Sequence, residues 1–317
     1  MAVYTHVSAE AAHALLLKYD VGSLTAIKGI AEGVQNSNFL LETDQSRFIL
    51  TLYESRVELH DLPYFHAMLA HLHASGCKVP RFIEDRDGNW LQDIAGRKGC
   101  LIEFLQGVSL TTPSPNQAYA VGQALGAIHN ALQDFAMSRP NPLGVKGWRA
   151  LFDTCGPNAA DDIVSGLSSR IGEEIGYVEQ NWPDQLPVSA IHADLFPDNV
   201  LTLGDDVTGL IDFYFACNDV TAYDLAVTHT AWCFDANGEN FRADVSQALI
   251  SGYETERVLS GEEREAFPVL ARGACLRFLL TRLYDWINTP ATALVTRKDP
   301  LAFLRRLDYY CSAETII

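Results

Sequence analysis

The chain has 317 residues, enough for one large domain or two lobes with a substantial core. Its composition, 48% hydrophobic and 20% charged, is that of a folded globular protein and excludes general disorder. A net charge of −17 argues against nucleic acid and against an anionic membrane surface, since both would be repelled. The seven cysteines are scattered, with no CxxC pair. Neither a zinc site nor a disulfide framework is expected, and buried free thiols in a reducing compartment are. The stretch MAVYTHVSAEAAH lacks the basic flank and apolar core of a secretory signal, and no run reaches the length of a membrane span. A soluble, cytoplasmic protein with no membrane partner is the expectation.

Ser8 to Tyr19 reads as a short helix capped by Ser8. Leu24 to Tyr53 reads as a three-stranded antiparallel meander: LTAIKGI, NFLLET and RFILTLY with turns between. From Leu59 to Ala74 the spacing of Leu62, Phe65, Leu69 and Leu72 predicts one helix. Two further strands are expected near Arg81–Asp85 and Gly99–Phe104, with a turn at RDGN. After Gly107 the pattern becomes mainly helical. Ser114, Pro115 and Gln117 form a capping box for a helix with the stripe Val121, Leu125, Ile128 and Leu132. Ser260 and Glu263 form another, before a helix ending near Leu270; Ala274–Ile287 reads as a separate buried helix. Glu262, Glu263, Arg264 and Glu265 read as a solvated face, and His66, His71 and His73 as exposed side chains rather than metal ligands. The fold class is therefore α+β. A small five-stranded antiparallel lobe, residues 1–105, precedes a larger mainly helical lobe, residues 106–317.

The chemistry concentrates in IHADLFPDNVLTLGDDVTGLIDFYFA, Ile191 to Ala216. Phosphoryl transfer asks a protein for positioning and charge neutralisation more than for covalent chemistry. Asp194 is the candidate carboxylate to accept a proton from an attacking hydroxyl. Asn199 and Asp212 supply one neutral and one charged oxygen, which suit Mg²⁺. Strands Val200–Leu203 and Val207–Ile211 around a turn would return Asp212 beside Asp194 and Asn199. His192 is expected to hydrogen-bond backbone near Asp212. Asp224, in AYDLA, is expected to brace the loop through its amides.

For ATP, the segment GIAEGVQNSN offers Gly33, Asn36, Ser37 and Asn38 as amide and small side-chain contacts to phosphates. LIEFL reads as a hinge, with backbone near Glu103 and Leu105 pairing with adenine.

The chain then resembles the aminoglycoside phosphotransferase and choline kinase-like superfamily, whose fold is protein-kinase-like and two-lobed. IHADLFPDN resembles its catalytic loop and IDF its metal-binding step. Within that superfamily, GIAEGVQNSNFLLET, FILTLYE, DLPYF, IDFYFACND, AWCFD and LRFLLTRLYDWINTP are similar to bacterial homoserine kinases. The resemblance implies transfer of phosphate from MgATP to the side-chain hydroxyl of L-homoserine, on the route to threonine. It also implies Asp194 as catalytic base and Asn199 and Asp212 as metal ligands. One departure is Thr51, where many relatives carry a strand lysine; Lys28 and Arg47 are the alternatives.

Homoserine has one cation, one anion and one hydroxyl. A carboxylate for its ammonium and an arginine for its carboxylate are needed. Arg277, Arg282 and Asp285 on one helix, with Tyr214, Asp219 and Trp232, are the candidates; Asp235 and Trp286 are further ones. Another small hydroxyl compound, such as an aminoglycoside or choline, is the alternative acceptor, and a catalytically silent nucleotide-binding module the alternative class.

Overall fold

The computed structural model describes residues 5–30, 36–54, 57–156, 158–289, 297–313 and 316–317. The chain divides into two compact units, Met1–Gln106 and Gly107–Ile317.

The first unit begins with helix α1, Ala9–Leu16, whose cap Ser8 accepts the Ala11 amide at 3.2 Å. Strands β1 (Leu24–Ile30), β2 (Asn36–Thr43) and β3 (Arg47–Tyr53) form the meander. Helix α2, Leu62–Ala74, buries the four residues that its spacing singles out. Strands β4 (Phe82–Ile83), β5 (Leu91–Ile94) and β6 (Arg97–Glu103) complete an antiparallel sheet. Its order is β1-β2-β3-β6-β4, with β5 also on β6, so six strands replace the expected five. The extra one is β5. It joins β6 through Ala95 and Gly96, both with positive φ, as a tight hairpin turn requires. Leu15 and Leu16 pack on Phe39, Leu41, Leu50 and Leu52 to form this unit's core.

The second unit holds β7 (Val108–Ser109), α3 (Pro115–Ala131), α4 (Val145–Cys155) and α5 (Leu167–Asn181). Next come β8 (Val188–Ile191), β9 (Val200–Leu203), β10 (Asp206–Leu210) and β11 (Cys217–Val220). Helices α6 (Thr221–Trp232), α7 (Ala243–Glu256), α8 (Gly261–Asn288) and α9 (Leu301–Ser312) close it. Both predicted capping boxes are present. However, α8 is one helix of 28 residues that runs through Pro268, not two. Proline removes one donor, and the fully buried Phe267, Leu270 and Ala271 around it hold the helix together.

Helices α3 and α7 pack backbone to backbone: a Cβ at Gly252 would lie 2.0 Å from the Tyr119 carbonyl oxygen. That approach lets Tyr253 of α7 reach His129 of α3 at 2.7 Å. Glu263 also departs from expectation. It is buried and pairs with Arg257 at 2.5 Å, because the α7–α8 connection folds back over the start of α8. His66 stacks on Trp90 with ring centroids 4.6 Å apart. All seven cysteines are free; Cys77 is half-buried and Cys311 exposed, the other five buried.

Fully buried His229 ties three helices together. On α6, it meets Tyr310 Oη of α9 at 2.6 Å and Ser246 Oγ of α7 at 2.7 Å. Burial pushes its pKa from 6.5 down to about 3. Below pH 6.5 the unfolded chain takes up a proton that the folded chain refuses. Stability is therefore lost as pH falls from about 6.5 toward 3, by up to ~1.4 kcal/mol per pH unit. Thermal melting should show a falling Tm from pH 7 to pH 5, with a shallower slope for His229→Gln. An unchanged slope in that variant would refute this origin.

Candidate active site

Two short strands clamp the loop that carries the motif. In the β8–β11 pair, Ile191 lies opposite Cys217 and Val188 opposite Val220, so both ends of residues 192–216 are held side by side. Inside the loop β9 and β10 form the expected hairpin, and β7 adds a third strand on β9. At the hairpin's base the Ile211 amide donates to the Asn199 carbonyl at 3.0 Å. This returns Asp212 to the neighbourhood of Asn199. The Asn199 Nδ2 donates to the Asp194 carbonyl at 2.8 Å and to its Oδ2 at 3.3 Å. The amide oxygen of Asn199 is thereby turned away from Asp194.

Asp224, fully buried at the start of α6, accepts the His192 and Ala193 amides, each at 2.7 Å. It also meets His129 Nε2 at 3.1 Å. Burial alone would raise this carboxyl. The hydrogen bonds from the His129 ring and the His192 amide outweigh it and hold Asp224 below the usual value. The bonding continues outward from His129 to Tyr253, then to Arg257 at 3.1 Å and on to Glu263. His192 is neutral, its pKa lowered mainly by burial. It donates Nε2–H to the Ile211 carbonyl at 3.0 Å and accepts the Asp194 amide on Nδ1 at 3.2 Å. The Phe213 ring covers it at 4.4 Å.

Ala193 and Asp212 are both non-glycine residues with positive φ, 63° and 65°. The Ala193 carbonyl accepts from Arg277 of α8, which is only 2% exposed. The same guanidinium lies 3.9 Å from Asp194 Oδ1. Asp194 itself is 16% exposed. Burial first, then Asp212 and Asp198, raise its pKa to about 8, with Arg277 and Lys298 opposing. Asp212 reaches solvent at its surface, yet desolvation on its other sides and Asp198 raise it to about 6, against the Tyr214 amide and Lys298. Two carboxylates raised together mark a place where bound positive charge is stabilising.

Among the described residues no group of three or more His, Cys, Asp and Glu forms a metal cage. The donor set still fits a small hard cation that keeps waters and shares phosphate oxygens. Asn199 offers its oxygen and Asp212 its carboxylate.

The remaining candidates are placed unevenly. Gly33 lies outside the described residues. Asn36 is buried, and its Oδ1 has no partner among the described residues. Ser37 is fully buried and spent: its Oγ accepts the Thr5 amide at 3.1 Å and donates to Glu54 at 2.7 Å. Asn38 Oδ1 accepts from Thr51, its cross-strand partner, at 2.8 Å. That bond occupies Thr51, the third-strand position singled out in the sequence as a departure. Lys28 is exposed, and Arg47 stacks over Phe104 at 4.4 Å. The Glu103 side chain pairs with Arg81 at 3.1 Å, and its amide donates to the Arg81 carbonyl. Leu105 is half-buried.

Trp232 is corrected from ligand contact to support. It is fully buried, and its indole N–H donates to the Leu195 carbonyl at 2.9 Å. Arg277 is likewise spent on the loop. Asp219 accepts from Asn141 and from the Val220 amide, each at 2.7 Å. Asp235 accepts from Asn240 at 2.5 Å. Trp286 lies 5.6 Å from the Arg297 guanidinium. Tyr214 and Asp285 are half-buried, while Arg282 is partly open on α8. Asp198 and Lys298 were missed. Asp198 sits inside the motif, where its acidity was a signal; Lys298 lies a hundred residues away with none.

Residues 26–259 match the phosphotransferase enzyme family. The chain belongs to that family. It is 50% identical over 310 residues to a homoserine kinase of Agrobacterium fabrum, covering 98% of this chain and 96% of that one. It is 50% identical over 315 residues to a homoserine kinase of Zymomonas mobilis, covering 99% and 98%. Among solved structures it resembles an amicoumacin kinase in complex with AMP-PNP and Ca²⁺. That likeness has a TM-score of 0.74 at 13% identity, over 98% of this chain and 95% of that one. A spectinomycin phosphotransferase in complex with ADP gives 0.69 at 14%, over 95% and 94%. These likenesses define a protein-kinase-like α+β fold. Among the described residues no helix is long and apolar enough to cross a membrane.

The brace is testable without turnover. Asp224→Ala leaves two loop amides and His129 without their acceptor, at a cost of about 1–3 kcal/mol for each group left unsatisfied. Hydrogen–deuterium exchange should show the His192 and Ala193 amides deprotected by at least tenfold while α3 stays protected. Retained protection at both amides would show that another group holds the loop.

Proposed function

We propose that this chain transfers the γ-phosphate of MgATP to the side-chain hydroxyl of L-homoserine, giving O-phospho-L-homoserine for threonine biosynthesis. The observation that carries this is half-identity over nearly the whole length to homoserine kinases. The loop chemistry agrees with it. Asp194 is the group that takes the hydroxyl proton as the new P–O bond forms. Asn199 and Asp212 are the ligands for Mg²⁺. The ion would neutralise phosphate charge and favour the ionised form of the nearby carboxylates.

Each of the chain's own residues then has a task. The Asn199 Nδ2 bonds fix the Asp194 carbonyl and carboxylate together. Arg277 holds the Ala193 carbonyl and opposes the desolvation of Asp194. In the first unit, Asn36, Asn38 and backbone at Glu103 and Leu105 remain the proposed ATP contacts. The Glu103 amide is already donated, so its carbonyl and the Leu105 amide are the groups to consider. A choline-type aromatic box loses Trp232, whose indole is enclosed.

An ADP-release assay across L-homoserine, choline, kanamycin and L-threonine tests the acceptor, with homoserine expected to turn over fastest. Asp194→Asn should lower kcat by about 10²–10⁴-fold, the range for loss of a general base. Asp212→Asn should raise the Mg²⁺ concentration needed for half-maximal rate. Wild-type rates in Asp194→Asn would remove the proposed base, and absence of turnover on homoserine would remove the acceptor.

A further inference from the structure

Arg282 of α8 and Arg306 of α9 approach a single ring. Their guanidinium carbons lie 4.5 and 4.4 Å from the centroid of Phe303. Arg306 is 4% exposed, and its Nε has no hydrogen-bond partner among the described residues. What these two groups do touch is neutral. Arg282 donates to the Asp299 carbonyl at 3.0 Å, and Arg306 to the Asp235 carbonyl at 2.9 Å. The nearby carboxylates are engaged elsewhere: Asp299 with Arg305 at 3.6 Å, Asp235 with Asn240 and the Glu239 amide. No described carboxylate lies within 4.0 Å of either guanidinium. Two adjacent, largely desolvated cations without a counter-ion are costly in any protein. Here they occur in a chain of net charge −17 that has acids to spare.

The pair also adjoins the catalytic loop. Phe303 packs on Phe278 at 5.0 Å, and Phe278 on Phe196 at 4.8 Å. Phe196 is two residues beyond Asp194 and donates its amide to the Asp194 carbonyl at 2.8 Å. The charges of Asp198 and Asp194 are felt at Arg282. Arg282 is thus within electrostatic range of Asp194, with the rings of Phe196, Phe278 and Phe303 packed in series beside it.

We infer that Arg282, with Arg306 behind it, forms an oxyanion subsite for the carboxylate of the amino-acid acceptor. The inference rests on the acceptor reading proposed above. Arg282 is the contact, because it is the more open of the two. Arg306 is enclosed and strengthens the positive field. The subsite would select amino acids over amino alcohols, since only the former carry the anion that compensates the pair.

The probe pair is L-homoserine and 3-aminopropan-1-ol, which keeps the ammonium and hydroxyl but lacks the carboxylate. Arg282→Gln should raise the KM for homoserine about 10²-fold, as expected for loss of a desolvated charge partner. Its KM for 3-aminopropan-1-ol and for ATP should change less than threefold. Arg282→Lys keeps the charge but not the planar fork, and should raise the homoserine KM about tenfold with an unchanged melting temperature. That variant decides the matter if the glutamine variant does not fold. Homoserine KM values within threefold of wild type would overturn the inference. So would a change confined to ATP, which would assign the pair to phosphate. A wild-type enzyme that turns over another acceptor and not homoserine overturns the acceptor reading, and this subsite with it.

Discussion

The loop from His192 to Ala216 depends on one buried carboxylate. Asp224 has no solvent to ionise into, so its charge is tolerable only if donors surround it. It finds three: two consecutive amides of the loop and an imidazole. The consequence runs in both directions. The amides fix the backbone just before Asp194, and the loop in turn keeps Asp224 charged. His129 then passes the requirement outward to Tyr253, Arg257 and Glu263, so four helices share one polar chain. The close crossing of α3 and α7 at Gly252 permits the link between His129 and Tyr253. Packing and electrostatics here specify the same arrangement. A loop held this way before any ligand arrives needs little reorganisation to do chemistry.

The C-terminal helices contribute cations that do different things for reasons of position. Arg277 sits one and a half turns before Arg282 on α8, and that distance along the helix separates their surroundings. Arg277 points into the loop and meets a carbonyl and a carboxylate, so its charge is used within the protein. Arg282 meets only a carbonyl and an aromatic face. Five residues apart, the two side chains leave the helix about 140° from each other. The environment built by Ala193 on one side and Phe303 on the other divides them.

That division also explains which parts of the molecule the sequence could convey. Local signals were sufficient where the physics is local. Ser114 and Gln117, like Ser260 and Glu263, satisfy each other's backbone groups within one turn. The meander strands are seven or eight residues long and show as apolar runs between turns. His192 and Asp224 could be given backbone-holding roles because the motif itself brings the loop and α6 close in sequence. Strands β7, β8 and β11 have only two to four residues and exist because a distant partner pairs with them. No window of sequence contains that partner. Glu263 looks like one of four charged residues on a wet face until Arg257 is seen beside it. Trp232 and Arg277 have residue types suited to ligand contact, but the direction of their side chains is set by tertiary packing. The charge of Lys298 acts on Asp194 and Asp212 through the same kind of long-range closure.

The backbone on either side of the chemistry carries the final constraint. Ala193 and Asp212 adopt left-handed conformations that cost a non-glycine residue about 1–2 kcal/mol each. Such conformations persist only when neighbours over-determine them. Ala193 meets that condition on both of its peptide groups. Its amide goes to Asp224 and its carbonyl to Arg277, which come from two different helices. Asp212 meets it through the residues beside it. Ile211 donates its amide to the Asn199 carbonyl and accepts on its own carbonyl from His192 Nε2, and the Tyr214 amide turns back onto the Asp212 carboxylate. Asn199 and His192 therefore join the two strained positions to each other. Relaxing either residue would release the other's support. Asp194 and Asp212 are thus held in place from both sides although eighteen positions of sequence separate them.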